Sequence, residues 1–482
     1  MTTTAEAAAE IGAEFHPSGI TEAAARFASE TRADAVPEDV DTIARRCILD
    51  SVGLYFAGAD AASTAILRRQ ALHWGGLDES MLLGAGGARV PAPMAARVMG
   101  TAGHAHDWDD TQVSKDPAHV YGLLTHPSIP CLTAALVMAD RCGGVSGRDL
   151  LSTFAIAVEV TCKISEWLKP DHYLRGHHSS GTVGTFGAAV AAGRVLGLDT
   201  PTMARALGIA ASMAAGVRCN FGTMTKPLHV GRAAENGVTA ALMAADGFTA
   251  DETALDGRWG FPAVLAGGLS EDKLAQGFGT TWSLIEPGLS IKPYPSGILT
   301  HQSMDLARRL VIEHDIGPEQ VEKIEFYAGD NILKPIRYPI ASTGLQAKFS
   351  MAALIALILT YRRADAEHFE DAVITDPALM QLQHRIKVHT DQAINAQGFD
   401  LIRSRMAITL KDGRQIEGWA DTRYRGGPQL PLSDDEVEEK FTICVGGKLP
   451  DDARARLAAM IWGIETLEDT CLLLNECASY SA

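Results

Sequence analysis

The chain lacks the sequence patterns that define several large classes of protein. Its eight cysteines form no CxxC pair, which argues against a zinc ribbon or a redox motif and predicts buried, reduced thiols. No uncharged apolar run reaches about 18 residues, so no transmembrane helix is predicted. A net charge of −17 leaves little basic surface for nucleic acid. The segment MTTTAEAAAEIGAEF has neither the basic nor the apolar region of a signal peptide, and we expect a cytoplasmic protein.

Length and residue patterns predict two domains. The 482 residues exceed what one hydrophobic core usually organises. Helical patterns such as VPEDVDTIARRCILDSVGLYFAG recur from about residue 20 to about residue 275, whereas VEKIEFYAG from Val321 alternates apolar and charged residues. RMAITLKDGRQIEGWAD reads as a hairpin with its turn at Asp412 and Gly413, QAKFSMAALIALILTYRR reads as a helix, and the tail is helical again.

These patterns predict a mainly α fold without a strand-led nucleotide-binding unit. A large all-helical domain is expected from both chain ends, residues 1–280 and 429–482. A smaller α+β lid domain is expected from residues 281–428.

Five short polar stretches interrupt the apolar helical patterns. They are HAHDWDDT from His104, THPS from Thr125, GHHSSGTVG from Gly176, TKPLHVGRAAENG from Thr225 and IKPYPSG from Ile291. Acids, imidazoles and lysines recur in them, where an ordinary core has no use for such groups. The combination predicts a pocket that binds a small polyanion and moves a proton.

The stretch HAHDWDDT is open to three interpretations. His104, His106 and Asp107 are candidate metal ligands of a hydrolase, although the companion motifs of such enzymes are missing. An acidic, solvated helix end is the plain structural alternative. In the third interpretation Asp107 and Thr111, four residues apart, share one helical face that lines a pocket.

Two histidines and two lysines are placed to bind and protonate an anion. His126 and His178 precede predicted helix starts, where free N–H groups favour a carboxylate. Lys226 and Lys292 each precede a proline, which stiffens the chain that presents them. Surface lysines and capping histidines are the plain alternative, but stiffened presentation of a solvated lysine serves little purpose, so we predict carboxylate binding.

Taken together, and in this order, the stretches resemble the MmgE/PrpD family over nearly the whole chain. The resemblance implies a homodimer with a fold similar to the one predicted above. It places Asp107, His126, His178, Lys226 and Lys292 among the catalytic residues of a pocket for a small polycarboxylate. The substrate-binding residues predicted alongside them are Thr111, His229, Arg232, Tyr294 and Tyr338.

The family includes 2-methylcitrate dehydratases, cis-aconitate decarboxylases and iminodisuccinate epimerases, and the chain departs from the decarboxylases in places. They carry a histidine where this chain has Gly297, and their tyrosine near residues 335–338 has only Tyr338 close to it. The segment 112–125 is an insert that we expect at the pocket mouth. The resemblance therefore favours dehydration of a 2-methylcitrate-like hydroxy acid, with decarboxylation or epimerisation as alternatives.

The expected chemistry is proton transfer next to a carboxylate, without a metal or an organic cofactor. Lys226 and Lys292 would stabilise the developing charge, and His126 or His178 would act as the base. Asp107 would orient an imidazole, or act as an acid if a dry pocket raises its pKa. A metal-dependent hydrolase and a catalytically idle carboxylate binder are the alternatives from other classes.

Overall fold

A computed structural model of the chain describes residues 19–113, 124–275, 277–398, 402–478 and 480. Helices account for 59% of it and strands for 9%, which confirms the predicted mainly α class. The helices are α1 Ile20–Glu30, α2 Glu38–Ala59, α3 Ala62–Trp74, α4 Ala92–His104, α5 Ser128–Arg141, α6 Gly147–Trp167, α7 Asp171–Leu174, α8 Ser179–Thr182, α9 Gly184–Val195, α10 Thr200–Met213, α11 Thr225–Ala245, α12 Phe261–Ala266, α13 Glu271–Leu274, α14 His301–Glu313, α15 Asp330–Leu333, α16 Gly344–Ala347, α17 Met351–Tyr361, α18 Asp371–Ile374, α19 Pro377–Arg385, α20 Gln392–Asn395, α21 Asp434–Val445, α22 Asp451–Trp462 and α23 Cys471–Ala478. The strands are β1 Ser80–Met81, β2 Arg89–Val90, β3 Val321–Ala328, β4 Ile386–Thr390, β5 Ser404–Leu410 and β6 Gln415–Trp419. None of the helices in the described ranges combines the length and the apolar content needed to cross a membrane.

The larger hydrophobic core joins both ends of the chain. It contains buried residues between Ile20 and Ile291 together with residues between Leu432 and Tyr480. Helix α21 lies against α2 so closely that a Cβ added at Gly53 would be 3.2 Å from the Phe441 ring. The C-terminal helices therefore share their core with the N-terminal ones, while the exact domain boundaries stay a prediction.

A second core lies under a four-stranded sheet. Its strand order is β4-β3-β5-β6, with β3 parallel to β4 and antiparallel to β5. Buried and half-buried residues alternate along β5, as expected for a sheet with one face on a core. Strand β3 and the β5–β6 hairpin confirm the sequence predictions, whereas β4 was not predicted.

The closest helix crossing positions two of the predicted site residues. Helices α4 and α11 approach so tightly that a Cβ at Gly231 would lie 2.4 Å from the carbonyl oxygen of Arg97, which only glycine permits. This contact lies within two turns of the helix ends that carry His104 and Lys226. The crossing therefore fixes where these two side chains meet.

Several local predictions need correction. The helical face proposed for Asp107 and Thr111 is wrong, because α4 ends at His104 and Asp107 has a left-handed backbone with φ of 52°. Helix α11 begins at Thr225, so the first turn of this helix, rather than the proline alone, presents Lys226. The helix predicted over QAKFS and the following residues is broken, because residues 348–350 separate α16 from α17.

The tail and the predicted insert complete the comparison with the sequence. The tail is helical as predicted, with α21, α22 and α23 in the described residues. The ends of the predicted insert, Gln112 and Thr125, pair through their backbones, and residues 114–123 lie outside the described residues.

Candidate active site

The five predicted catalytic residues and Thr111 line one cavity. Its atom-free space is about 440 Å³, which includes space open to solvent. Its lining residues are Asp107, Thr111, Leu124, His126, Tyr173, His178, Phe221, Lys226, Lys292, Gly297, Ile298, Leu299, Pro335, Ile336 and Phe349. The ionisable groups come from both halves of the chain, so the site exists only where the two cores meet.

Asp107 is the centre of charge in this pocket. Its Oδ1 lies 2.8 Å from the Nζ of Lys292 and 3.1 Å from the Nζ of Lys226. Burial alone would raise the pKa of the Asp107 carboxyl, but the two ammonium groups hold it well below its usual range. The proposal that Asp107 acts as an acid with a raised pKa is therefore wrong, because its carboxylate is firmly ionised.

Three lysines hold the backbone on both sides of Asp107. Lys348 donates to the carbonyl of residue 106 at 2.7 Å, Lys292 to that of residue 107 at 2.9 Å, and Lys440 to that of residue 108 at 2.8 Å. All three ammonium groups are buried. These three consecutive carbonyls lie outside a helix, and the lysine side chains donate hydrogen bonds to them. The hydrogen bonds stabilise the left-handed turn at Asp107.

His104 connects Lys226 to a second buried acid. Its Nε2 lies 2.7 Å from the Nζ of Lys226, and its Nδ1 lies 2.7 Å from Oδ1 of Asp109. An ammonium group has only N–H donors, so Nε2 must accept and Nδ1 must carry the proton that is donated to Asp109. Burial lowers the pKa of His104 to about 3, which agrees with a neutral imidazole.

His126 faces the same acid from the other side. Its Nδ1 lies 3.2 Å from Oγ1 of Thr111 and 3.3 Å from Oδ2 of Asp109, although that oxygen receives no hydrogen bond of good geometry. Its Nε2 lies 3.6 Å from Oδ1 of Asp107. Burial lowers the pKa of His126. Burial therefore favours a neutral His126, and Asp109 favours the tautomer with its proton on Nδ1, which leaves the lone pair of Nε2 towards the pocket.

His178 forms the remaining imidazole wall. Its Nδ1 lies 3.0 Å from Nδ1 of His229, and its ring meets the Phe221 ring edge-on at 5.0 Å. Burial and the nearby Lys226 ammonium keep the pKa of His178 well below its ordinary value, and burial lowers that of His229 to about 4. His229 thus supports His178 from behind and does not line the cavity.

Three predicted substrate-binding residues lie away from the cavity lining. The half-exposed guanidinium of Arg232 pairs with Glu235 at 2.8 Å. Tyr294 donates its hydroxyl hydrogen to Oδ1 of Asp305, and Tyr338 donates to the backbone oxygen of Phe221. These three side chains therefore lie outside the cavity lining, with their polar groups on other protein atoms.

The predicted metal trio is not assembled. His106 points away, with Nε2 3.1 Å from the carbonyl oxygen of Ala57. His104, His126 and His178 do lie close enough for one ion, as do His104, Asp107, Asp109 and His126. Two ammonium groups already contact Asp107 and one contacts His104, and they would repel a cation there. The cluster therefore suits an anion better than a metal ion.

The sequence interpretation missed the apolar part of the pocket. Tyr173, Phe221 and Phe349 line the cavity, and each stands in a stretch where an aromatic residue reads as ordinary core. Phe349 follows Lys348 in the QAKFS stretch, which the sequence pattern predicts only as part of a helix. Asp109 is not among the predicted site residues, and its spacing of five from His104 gave no signal of their contact.

Comparison with known proteins finds matches over most of the chain. Residues 22–272 match the MmgE/PrpD N-terminal domain, and residues 294–466 match the MmgE/PrpD C-terminal domain. The cis-aconitate decarboxylase of Homo sapiens is 30% identical over 437 residues, which cover 89% of this chain and 88% of that protein. The mouse (Mus musculus) enzyme of the same name is 29% identical over 94% of this chain and 92% of its own length. The cis-aconitate decarboxylase of Aspergillus terreus is 24% identical over 95% of this chain and 96% of its own length.

Proposed function

Because the chain belongs to the MmgE/PrpD family, we propose that it is a lyase that releases CO₂ from a cis-aconitate-like tricarboxylate. The proposal favours the alternative of decarboxylation over dehydration, because relatives that match nearly the whole chain are named cis-aconitate decarboxylases. The observation that carries it is the pair of buried ammonium groups, Lys226 and Lys292, in one cavity beside two neutral imidazoles. Such cations can hold carboxylates and stabilise a carbanion next to one.

Decarboxylation places specific demands on these groups. When the CH₂-bound carboxylate leaves as CO₂, the C–C electron pair remains on an allylic carbon and spreads towards a neighbouring carboxylate. An ammonium group at that carboxylate stabilises the charge, and one proton must be added to carbon. Lys226 is suited to deliver that proton, because its ammonium group carries protons, whereas an imidazole of lowered pKa is neutral. Burial also lowers the pKa of Lys226, which eases the release of its proton.

Dehydration of a 2-methylcitrate-like hydroxy acid is the second candidate. It needs a base to remove a proton next to a carboxylate, and the lone pair on Nε2 of His126 faces the pocket with its imidazole neutral. Lys226 would then protonate the leaving hydroxide. Gly297 also favours it, because the family resemblance places a histidine there in decarboxylases.

The test is NMR of the chelator-treated protein in D₂O with cis-aconitate, 2-methylcitrate, citrate and iminodisuccinate. We expect CO₂ from cis-aconitate with one deuteron on carbon in the product, and no loss of rate with chelator. Water loss from 2-methylcitrate with cis-aconitate unchanged would replace the proposal by the second candidate. Exchange without net reaction would indicate an epimerase, and activity restored by an added metal ion would reopen the hydrolase alternative.

A further inference from the structure

One side of the cavity is an apolar wall formed by Phe221, Gly297, Ile336 and Phe349. The rings of Phe221 and Phe349 lie 5.6 Å apart. A Cβ added at Gly297 would lie 3.2 Å from Cδ1 of Ile336 and 3.6 Å from Cε1 of Phe349. These four residues therefore form one continuous surface that offers no polar side-chain atom to a ligand.

The apolar wall begins where the charged cluster ends. The Nζ of Lys226 lies 5.3 Å from the centre of the Phe221 ring and 5.7 Å from that of the Phe349 ring. The same ammonium group contacts Asp107 at 3.1 Å. A ligand that spans the cavity thus has one end among cations and the other among hydrocarbon.

The charges in the cavity do not match a ligand with three carboxylates. Lys226 and Lys292 are the cationic side chains of the lining residues in the described part of the chain, and both already contact Asp107. Neutral His126 and His178 add no positive charge. A bound tricarboxylate can therefore place two carboxylates near ammonium groups, while the third has no cation reserved for it.

Gly297 increases the room along the apolar wall. Its φ of −57° is open to any residue, so the backbone does not require glycine there. A side chain would press against Ile336 and Phe349, and its absence leaves that space for the ligand.

We propose that the apolar wall is the subsite for the carboxylate that leaves as CO₂. This inference rests on the proposed decarboxylation. In the step, the bond between the CH₂ carbon and the leaving carboxyl carbon breaks, and its electron pair stays on the allylic fragment. That fragment takes one proton from the Lys226 ammonium group, which regains a proton from water after product release. The anion therefore forms beside the cations while a neutral molecule forms at the wall.

The wall favours this step through a difference in solvation. A carboxylate against hydrocarbon loses its hydrogen bonds to water, whereas CO₂ needs none. The two carboxylates bound near the lysines hold the substrate in place despite that loss. Because the charge moves from the wall towards Lys226 and Lys292 as CO₂ forms, the pocket stabilises the transition state more than the bound substrate.

The test is Ile336→Gln, with Ile336→Leu as the matched apolar control. A glutamine amide would donate a hydrogen bond to the leaving carboxylate of the bound substrate. That hydrogen bond weakens as the carboxylate becomes CO₂. We expect kcat and KM for cis-aconitate both to fall, each by about tenfold, whereas Ile336→Leu keeps both within about threefold. Damaged packing alone would raise KM, so a raised or unchanged KM in the glutamine variant overturns the inference.

A ligand pair tests the same wall without any mutation. (2-Methylpropyl)maleate has the shape of cis-aconitate, with two methyl groups in place of the oxygens of the third carboxylate. We expect it to bind the wild-type protein at least tenfold more tightly than cis-aconitate in calorimetry, and Ile336→Gln to weaken it. Weaker binding than cis-aconitate would overturn the inference even where CO₂ release is seen. If the wild-type protein releases no CO₂ at all, the proposed decarboxylation fails instead.

Discussion

Replacement of Asp109 by asparagine should disable the site without changing its shape. Oδ1 of Asp109 accepts the Nδ1 hydrogen of His104, and Oδ2 faces Nδ1 of His126 at 3.3 Å. Burial alone would raise the pKa of Asp109, but the two imidazoles hold it well below its usual range, so its carboxylate is ionised and both oxygens are able to accept. Asparagine has one acceptor and one donor group in the same volume, so one of the two histidines must lose its acceptor.

The size of the loss depends on which histidine is affected. If the amide NH₂ faces His126, that imidazole turns to the tautomer with a proton on Nε2, and the lone pair towards the pocket is lost. If it faces His104, the new Nε2 hydrogen meets the Lys226 ammonium group 2.7 Å away, and the lysine is displaced as well. A positioned acid or base is worth about 10²–10⁴-fold. We expect the lower end for the first arrangement and the upper end for the second.

The assay is kcat/KM for CO₂ release, with ¹⁵N NMR of the histidine rings to identify the tautomers. Asp110→Asn is the matched control, because Asp110 is the adjacent buried acid and bonds Ser128 rather than a pocket histidine. Asp110→Asn should keep activity within about threefold. Activity of Asp109→Asn within threefold of wild type, with an altered tautomer, would refute the reasoning, because the proton positions would then not matter.

Three further predictions concern the charges of the site. Lys226→Met should lower kcat/KM by about 10²–10⁴-fold and raise the pKa of Asp107, which ¹³C NMR of the labelled carboxyl would measure. His126→Gln and His178→Gln should each lower kcat/KM more than about tenfold, and a smaller loss in both would contradict any role for the imidazoles in proton transfer. Burial raises the pKa of Asp110 from 3.8 to about 7, so its protonated form stabilises the fold below about pH 4, and this contribution is lost as pH rises to about 7. Asp110→Asn should remove that part of the pH dependence, measured as Tm from pH 4 to pH 8.

The sequence was sufficient for the fold class and for the ionisable residues of the pocket. Helical spacing of apolar residues and the alternation in Val321–Ala328 follow directly from burial of one face, so they can be read without a structure. His126, Lys226 and Lys292 could be identified because lysines and imidazoles between apolar helices need a reason to be there. Strand β4 was missed because IKVHT is short, and only its pairing with β3 makes it a strand.

Contacts between distant segments could not be predicted in this way. The face shared by Asp107 and Thr111 was inferred from helical spacing, whereas the actual cause is the left-handed turn at Asp107. That turn depends on lysines about 185 to 332 residues further along the chain. Tyr294 is a second example. Its place beside Lys292 in the IKPYPSG stretch suggested contact with the ligand, whereas its hydroxyl donates to Asp305.

The three lysines that donate to the carbonyls of residues 106–108 connect the ionised centre of the pocket to separate parts of the chain. Lys292 follows Ile291 of the larger core, Lys348 lies beside Phe349 of the second core, and Lys440 belongs to α21. Each of these side chains reaches residues 106–108 from its own segment, and Lys292 also contacts the carboxylate of Asp107. Because Lys226 and Lys292 both lower the pKa of Asp107 against the effect of burial, loss of the Lys292 contact would raise that pKa even with Lys226 in place. The ionised centre of the site therefore depends on contacts that join these segments.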